Sequence, residues 1–262
     1  MKSETIRDIA IKRHDEDAGT FQKIYSDIIT QNKEYAFKYG RKLILDDLQR
    51  ILDGLPKNAR ILDLGSGTGH LAKSLHTQGF EVIGAEPSLK MLEIARNNFP
   101  DIEFVEGISS KLPFPDQHFD LVIAFEVFRY LDKKENQKSF TEVFRTLKPG
   151  GHFFFTQVNR YSSDGYFLFF YVKKFFQKIL GKLSQHCFFT TPKQQVKLLE
   201  RSGFSKIETL GRMAGTIRMG YKLGKFIGDR YVKLVEKIYG DQKFKTNPLK
   251  SMAGHLVVIA RK

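Results

Sequence analysis

Three glycines spaced two apart, Gly65, Gly67 and Gly69, follow a short apolar run, Ile61 to Leu64, that carries a carboxylate at Asp63. Glycine lets a backbone take left-handed dihedrals and pass a ligand with no Cβ between them. A helical pattern begins near Leu71, so helix amides would point into the turn. An apolar run this short is a buried parallel strand, and Asp63 then stands at its carboxyl end, the rim where open α/β sheets bind ligands. A dinucleotide fingerprint needs its third glycine one residue later, where His70 stands. No Lys-Ser/Thr pair follows the glycines, so a phosphate loop is excluded. A nucleotide-dependent oxidoreductase is disfavoured on the same spacing.

The D-x-G-x-G-x-G pattern resembles that of the class I S-adenosylmethionine-dependent methyltransferases, and four later segments agree with it in order. Val82-Ile83-Gly84-Ala85-Glu86 looks like the family's second strand, and Pro87-Ser88-Leu89-Lys90-Met91-Leu92 like the helix start that follows it. Leu112-Pro113-Phe114-Pro115 with Phe119-Asp120-Leu121-Val122 resembles the fourth-strand signature, and Leu147-Lys148-Pro149-Gly150-Gly151 the turn before the fifth strand. Within the family the broad likeness is to the ubiquinone/menaquinone and sterol methyltransferase-like group (methyltransferase type 11). The resemblance implies an α/β fold: a doubly wound, seven-stranded, Rossmann-like sheet of order 3-2-1-4-5-7-6, its last strand antiparallel. Helical N-terminal and inserted segments would cap it.

It also implies S-adenosyl-L-methionine as cofactor, leaving as S-adenosyl-L-homocysteine, and no metal. Asp63 would face the ammonium, with Gly65, Ser66 and Gly67 beside the methionyl part. Glu86, followed by Pro87, would accept from both ribose hydroxyls, and Met91 would pack near the adenine. Phe125 and Glu126 would line the sulfonium end. One position departs from the family: Ile108 stands where an Asp often takes the adenine amino group. Ile108 would then cover the adenine face and the Ser109 amide serve a ring nitrogen, leaving the amino group to Ser109, Ser110 or carbonyls.

Methyl transfer from a sulfonium is an in-line displacement that needs positioning and no protein nucleophile. A base is needed only where the acceptor carries a proton of high pKa. Where the family often has a His-rich run after the fourth strand, this chain has Arg129-Tyr130. These two and Tyr25 are the candidates for orienting an acceptor. His14, Tyr35, Tyr39, Arg41 and His186 are further polar groups in the regions expected to cap the site. No catalytic base can be named from the sequence.

The elements that must position these groups alternate. Strands are predicted at about 60–64, 81–85, 102–105, 119–124, 151–157, 204–210 and 253–261, with helical patterns between them. Residues 20–53 are helical: Phe21, Ile24, Tyr25 and Ile28 share a face, and Leu43, Ile44, Leu48 and Ile51 form a stripe with one acidic exception, Asp47. Thr191-Pro192 with Gln194 is a capping box that opens a helix ending at Gly203. The expected organisation is one methyltransferase domain over 1–262. It comprises an N-terminal helical cap (1–55), a cofactor-binding core (56–157 and 191–211), an amphipathic insertion (158–190), a second helical insertion (212–250) and a final strand (251–262).

In the first insertion Leu168, Phe169, Val172, Phe175, Phe176, Ile179, Leu180 and Leu183 fall in one arc, with Lys174, Lys178 and Lys182 opposite and Lys173 nearer the edge. The second repeats the theme, with Leu223, Phe226, Ile227, Leu234, Val235 and Ile238 against Lys222, Lys225, Lys233 and Lys237. Gly220, Gly224 and Gly228 recur beside them as a packing stripe. These faces are expected to form a lid over the site, with contact to an anionic membrane as the alternative.

Composition bounds the rest. The chain has 262 residues, 41% of them hydrophobic, and a formal net charge of +14, which favours an acidic partner without naming it. Order is expected beyond the first dozen residues. Cys187 is the only cysteine, which excludes an internal disulfide and suits a reducing compartment. The longest apolar run, Tyr166 to Val172, is far short of the roughly 20 residues that span a bilayer. A cytoplasmic enzyme is expected, with peripheral contact at the inner membrane face as the variant. No aromatic-basic RNA signature or base-methylating motif appears, so nucleic acid is disfavoured as substrate. With 24 Phe and no Trp, the insertions would shape a greasy pocket for a small apolar acceptor of quinone, isoprenoid, polyketide or lipid type. The alternative is a cofactor-binding accessory or regulatory protein without turnover.

Overall fold

A computed structural model describes residues 5–30, 35–163, 166–180, 186–213, 217–239 and 252–262, and their side chains except at 24–30, 218–219 and 238–239. Strands β1 (Arg60–Leu64), β2 (Glu81–Glu86), β3 (Glu103–Glu106), β4 (Phe119–Ala124), β5 (Leu147–Val158), β6 (Ser205–Arg212) and β7 (His255–Arg261) form one sheet. Its order is β3-β2-β1-β4-β5-β7-β6. Neighbours from β3 to β5 are parallel, and β7 is antiparallel to both β5 and β6. This is the doubly wound α/β sheet expected, with the expected order and reversed last strand. Around it lie α1 (Ile6–Thr30), α2 (Tyr35–Leu52), α3 (His70–Thr77), α4 (Leu89–Asn98) and α5 (Lys133–Thr146). Farther along the chain come α6 (Tyr166–Ile179), α7 (Pro192–Arg201), α8 (Ile217–Lys222) and α9 (Lys225–Tyr239).

The central strands are apolar on both faces because helices cover both. From β1, Leu62 and Leu64 join a cluster with Val122, Phe153 and Phe155, closed by Phe140 and Val143 of α5 and Leu198 and Leu199 of α7. Ile61 faces the other way, into Leu48 and Leu52 of α2, Leu75 of α3 and Leu92 of α4. Phe119, Phe128, Phe140, Phe153, Phe154 and Phe155 are fully buried, each contributing about 1.5–3 kcal/mol over exposure. These six belong to the core and not to the insertions expected to shape a pocket. In the first insertion Phe169, Phe175 and Phe176 face outward, whereas Phe167 and Phe170 pack on Phe189.

Local sequence signals hold at several joints. The Thr191 hydroxyl accepts from Gln194 N at 3.3 Å and Gln194 Oε1 from Thr191 N at 3.2 Å, the capping box that starts α7. The acidic exception in α2 also has its reason. Asp47 is buried against Arg212 of β6, whose Nε and Nη2 donate to its two oxygens at 2.5 Å each.

Other expectations are corrected. Helix α1 begins at Ile6, well inside the first dozen residues, because it packs on α4 and the site. The turn Leu147–Gly151 belongs to β5: Phe119 pairs with Leu147 and Leu121 with His152, so Lys148 to Gly151 bulge opposite Asp120. The stripe in the second insertion divides. Val235 is buried with Val232, whereas Leu223, Phe226, Ile227 and Leu234 are exposed. The side chain of Ile238 lies outside those described, as do Lys182 and Leu183. The glycine stripe is indeed packing at two positions, since a Cβ at Gly220 or Gly228 would meet Tyr231 or Tyr221 of the facing helix; Gly224, at φ 110°, makes the turn between α8 and α9.

Candidate functional site

β1 and β2 end side by side, and the turn after β1 folds onto its neighbour: Gly65 N and Ser66 N donate to Ala85 O at 2.7 and 3.2 Å. Gly65 has φ 73°, and a Cβ there would collide with Val127. Gly67, at φ 54°, donates its amide to Glu86 Oε2 at 3.0 Å, while Ser88 N donates to Oε1 at 3.0 Å. Burial pushes the Glu86 carboxyl up to about 7 despite these amides.

Asp63 lies beneath the turn and is 2% exposed. Burial pushes its carboxyl up to about 7; a bond from the Ala72 backbone and the charge of Arg41 work the other way. Asp63 Oδ2, Ser66 Oγ and Thr68 Oγ1 are buried with no hydrogen-bond partner among the described residues. A buried polar atom left unpaired costs about 1–3 kcal/mol, and these three fall within six residues of one turn. They form a cradle that a ligand with donors would complete. An ammonium beside Asp63 and a diol at Glu86 fit this set, because carboxylates take strong charge-assisted bonds.

Above the cradle is a cleft of about 930 Å³, its open mouth included. The predicted residues Gly65, Gly67, Glu86, Pro87, Met91, Ile108, Ser109, Phe125 and Glu126 all border it. Asp63 and Ser66 are buried and do not border it. The hydroxyls of Ser109 and Ser110 are engaged with α5, at 2.8 Å from Ser139 Oγ and 3.1 Å from Glu135 Oε2. Helix α1 closes the top with Arg7, Ala10, Ile11, His14 and Phe21. The His14 ring stacks on Phe21 at 5.6 Å and meets Tyr130 edge-on at 4.7 Å, and burial holds its pKa below the ordinary range. Asp15 ties α1 down, accepting from Ser88 Oγ at 2.6 Å and Lys90 N at 3.2 Å.

A second cavity, about 1400 Å³ with its mouth, lies between α2, α8 and the rim of the sheet. Arg41, Ile44, Thr156, Met213, Lys222 and His255 border it, and Phe125 and Glu126 border both spaces. Glu126 has φ 60°, a left-handed conformation uncommon for a residue with a side chain. It is held by neighbours on every side. Its amide donates to Thr156 Oγ1 at 2.8 Å, and that hydroxyl donates to Glu126 Oε1 at 3.0 Å. His255 Nδ1 is 3.3 Å from the same oxygen, and Arg129 Nη1 donates to Oε2 at 2.7 Å. Burial alone would raise the Glu126 carboxyl, but His255 and then Arg129 hold it well below the usual carboxylate range.

The three candidates for orienting an acceptor are placed differently. Arg129 borders neither space; it links Glu126 to Tyr166, whose hydroxyl its Nη2 reaches at 2.8 Å. Tyr130 borders the cleft, and burial pushes its hydroxyl up to about 12. Tyr25 is on α1, but its side chain lies outside those described. Tyr35 and Arg41 border the second cavity, Tyr39 donates to Glu236 at 2.9 Å, and His186 borders neither space. Sequence reasoning missed Asp15, Thr156 and His255. His255 stands alone at the head of the last strand, and only the pairing of β5 with β7 brings it near Glu126. No local signal marked it.

Residues 61–151 match the methyltransferase domain family. The chain is 33% identical over 185 residues to a demethylmenaquinone methyltransferase of Chlorobaculum tepidum, covering 65% of this chain and 75% of that one. It is 31% identical over 215 residues to the demethylmenaquinone methyltransferase of Bacillus licheniformis, covering 78% and 89%. In fold it is similar to phosphoethanolamine N-methyltransferase 2 of Haemonchus contortus, solved with S-adenosyl-L-methionine. That likeness has a TM-score of 0.56 at 18% identity and covers 84% of this chain and 52% of the other.

Proposed function

The chain belongs to the class I S-adenosylmethionine-dependent methyltransferases, and we propose that it moves a methyl group from S-adenosylmethionine in the cleft to a small, largely apolar acceptor of quinone type in the second cavity. The observation that carries this reading is the wall shared by the two spaces, Phe125 and Glu126. The names of the relatives support the quinone class.

When bound, the cofactor supplies an electrophilic methyl group on a sulfonium. Asp63 binds the ammonium with the buried hydroxyls of Ser66 and Thr68, and Glu86 takes the ribose diol in place of the Gly67 amide. Met91 and Ile108 enclose the adenine, and α1 excludes water above it. On the other side of the wall, Ile44 and Met213 receive the apolar ring while Arg41 and Lys222 bind its oxygens. An aromatic carbon that gains a methyl must lose a proton. The neutral form of His255, with Nδ1 3.3 Å from Glu126 Oε1, is the group at that wall placed to take it. The same reading puts the protein on the cytoplasmic side, where a lipid-soluble acceptor is reached at the membrane surface.

The test is calorimetric titration with S-adenosylmethionine and S-adenosylhomocysteine, followed by transfer of a labelled methyl group to reduced demethylnaphthoquinones of increasing tail length. Micromolar cofactor binding with label on the quinol ring supports the reading. Binding without label on any quinol would overturn the acceptor class, and no binding of either nucleoside would overturn the cradle.

A further inference from the structure

Helix α6 contributes nothing to either cavity, and none of its residues is buried. One narrow edge attaches it: Tyr166, Phe167 and Phe170 pack on Val158, Cys187 and Phe189. The opposite side is apolar and faces outward. Leu168, Phe169, Val172, Phe175, Phe176 and Ile179 are 45–68% exposed, and at about 100° per residue they share about a third of the circumference. The expected lid is thus corrected, since this face turns to solvent and not to the site. Soluble chains seldom leave so large a contiguous apolar surface without a partner.

Charge selects the partner. The helix has no Asp or Glu. Lys174, half-buried, lies opposite the apolar arc as expected, while the exposed Lys173 and Lys178 lie nearer its two borders. Lysines at both margins can extend to headgroups while the arc enters the acyl boundary. A second copy of the chain would bring a net charge of +14 against +14. An anionic bilayer satisfies the apolar arc and the lysine borders together. The second insertion agrees: Phe226, Ile227 and Leu234 of α9 are exposed near Arg230, Lys233 and Lys237. Both insertions leave the sheet at one rim. Ser163 N, just before α6, donates to Met252 O at 2.8 Å, and Gly254 N donates to Met213 O, just past β6, at 3.0 Å.

We propose that α6 is an interfacial helix that seats the protein on an anionic lipid surface. This stands apart from the acceptor assigned above, because it is read by binding and not by turnover. The test is co-sedimentation of the full chain with phosphatidylcholine vesicles, with or without phosphatidylglycerol, at low and physiological salt. Variants F169S/F176S and K173E/K178E change only exposed side chains, and retained S-adenosylhomocysteine binding or an unchanged melting curve confirms their fold. The expected result is binding to the phosphatidylglycerol vesicles that weakens with salt, and about tenfold weaker binding for each variant. Three results would overturn the proposal: no pelleting of the wild type at low salt, equal binding to neutral vesicles, or variants that pellet as the wild type does. Self-association that F169S/F176S abolishes would overturn it too, and would make the face an interface between copies.

Discussion

Asp63 and Glu86 are acids pushed up to about 7 by burial. In the unfolded chain both titrate in the ordinary carboxylate range, so between about 4 and 7 the folded state binds more protons. By linkage their contribution to the stability of the free protein falls as pH rises through that window. In the proposed function the ligand's donors require the ionised forms, so cofactor binding should release protons and tighten as pH rises from 6 to 8. The thermal shift produced by saturating S-adenosylhomocysteine should therefore be larger at pH 8 than at pH 6. An equal shift at both would mean that neither carboxyl meets the ligand. Glu86→Ala should weaken binding by about 1–3 kcal/mol, measured by calorimetry. Across the wall, His255→Gln should lower kcat and leave the cofactor Kd unchanged. Lost cofactor affinity would make His255 a structural residue of the cleft.

Among the elements, α2 is held to β6 by the buried Asp47–Arg212 pair, which Arg50 joins at 2.8 Å. Truncating one partner strands the other charge, so Asp47→Ala should cost about 3–5 kcal/mol in urea denaturation. Asp47→Leu with Arg212→Met should recover much of that loss, because it leaves no unpaired buried charge. The capping box of α7 was legible in three residues because its hydrogen bonds are local. Asp47 was visible only as an exception, since its partner is 165 positions away. Helix α6 was legible as an amphipathic arc, but helical period does not say which way an arc points. That depends on Tyr166, Phe167 and Phe170 meeting Phe189.

At the scale of the whole molecule, the sheet fixes the floor of the site and α1 supplies its roof. One side-chain acceptor, Asp15, ties that roof to the start of α4. Closure over a ligand should then be visible in backbone exchange. Amides of Arg7 to Phe21 should exchange more slowly with S-adenosylhomocysteine bound, and Asp15→Ala should reduce that protection. Unchanged exchange along α1 would mean that the helix is no part of the closed site.

The sequence by itself determined the sheet, the glycine turn and the carboxylates at its rim. Strand alternation, caps and D-x-G-x-G-x-G all act between neighbours in the chain, so their physics is written locally. The tertiary structure decided what distant residues meet. It set His255 and Thr156 on Glu126, paired Asp47 with Arg212, and buried six phenylalanines fully in the core while leaving Phe169, Phe175 and Phe176 of α6 outside. Each of these depends on which strands pair and which helix face the sheet covers. Apolar character makes a residue eligible for burial, but the available neighbours decide whether it is buried.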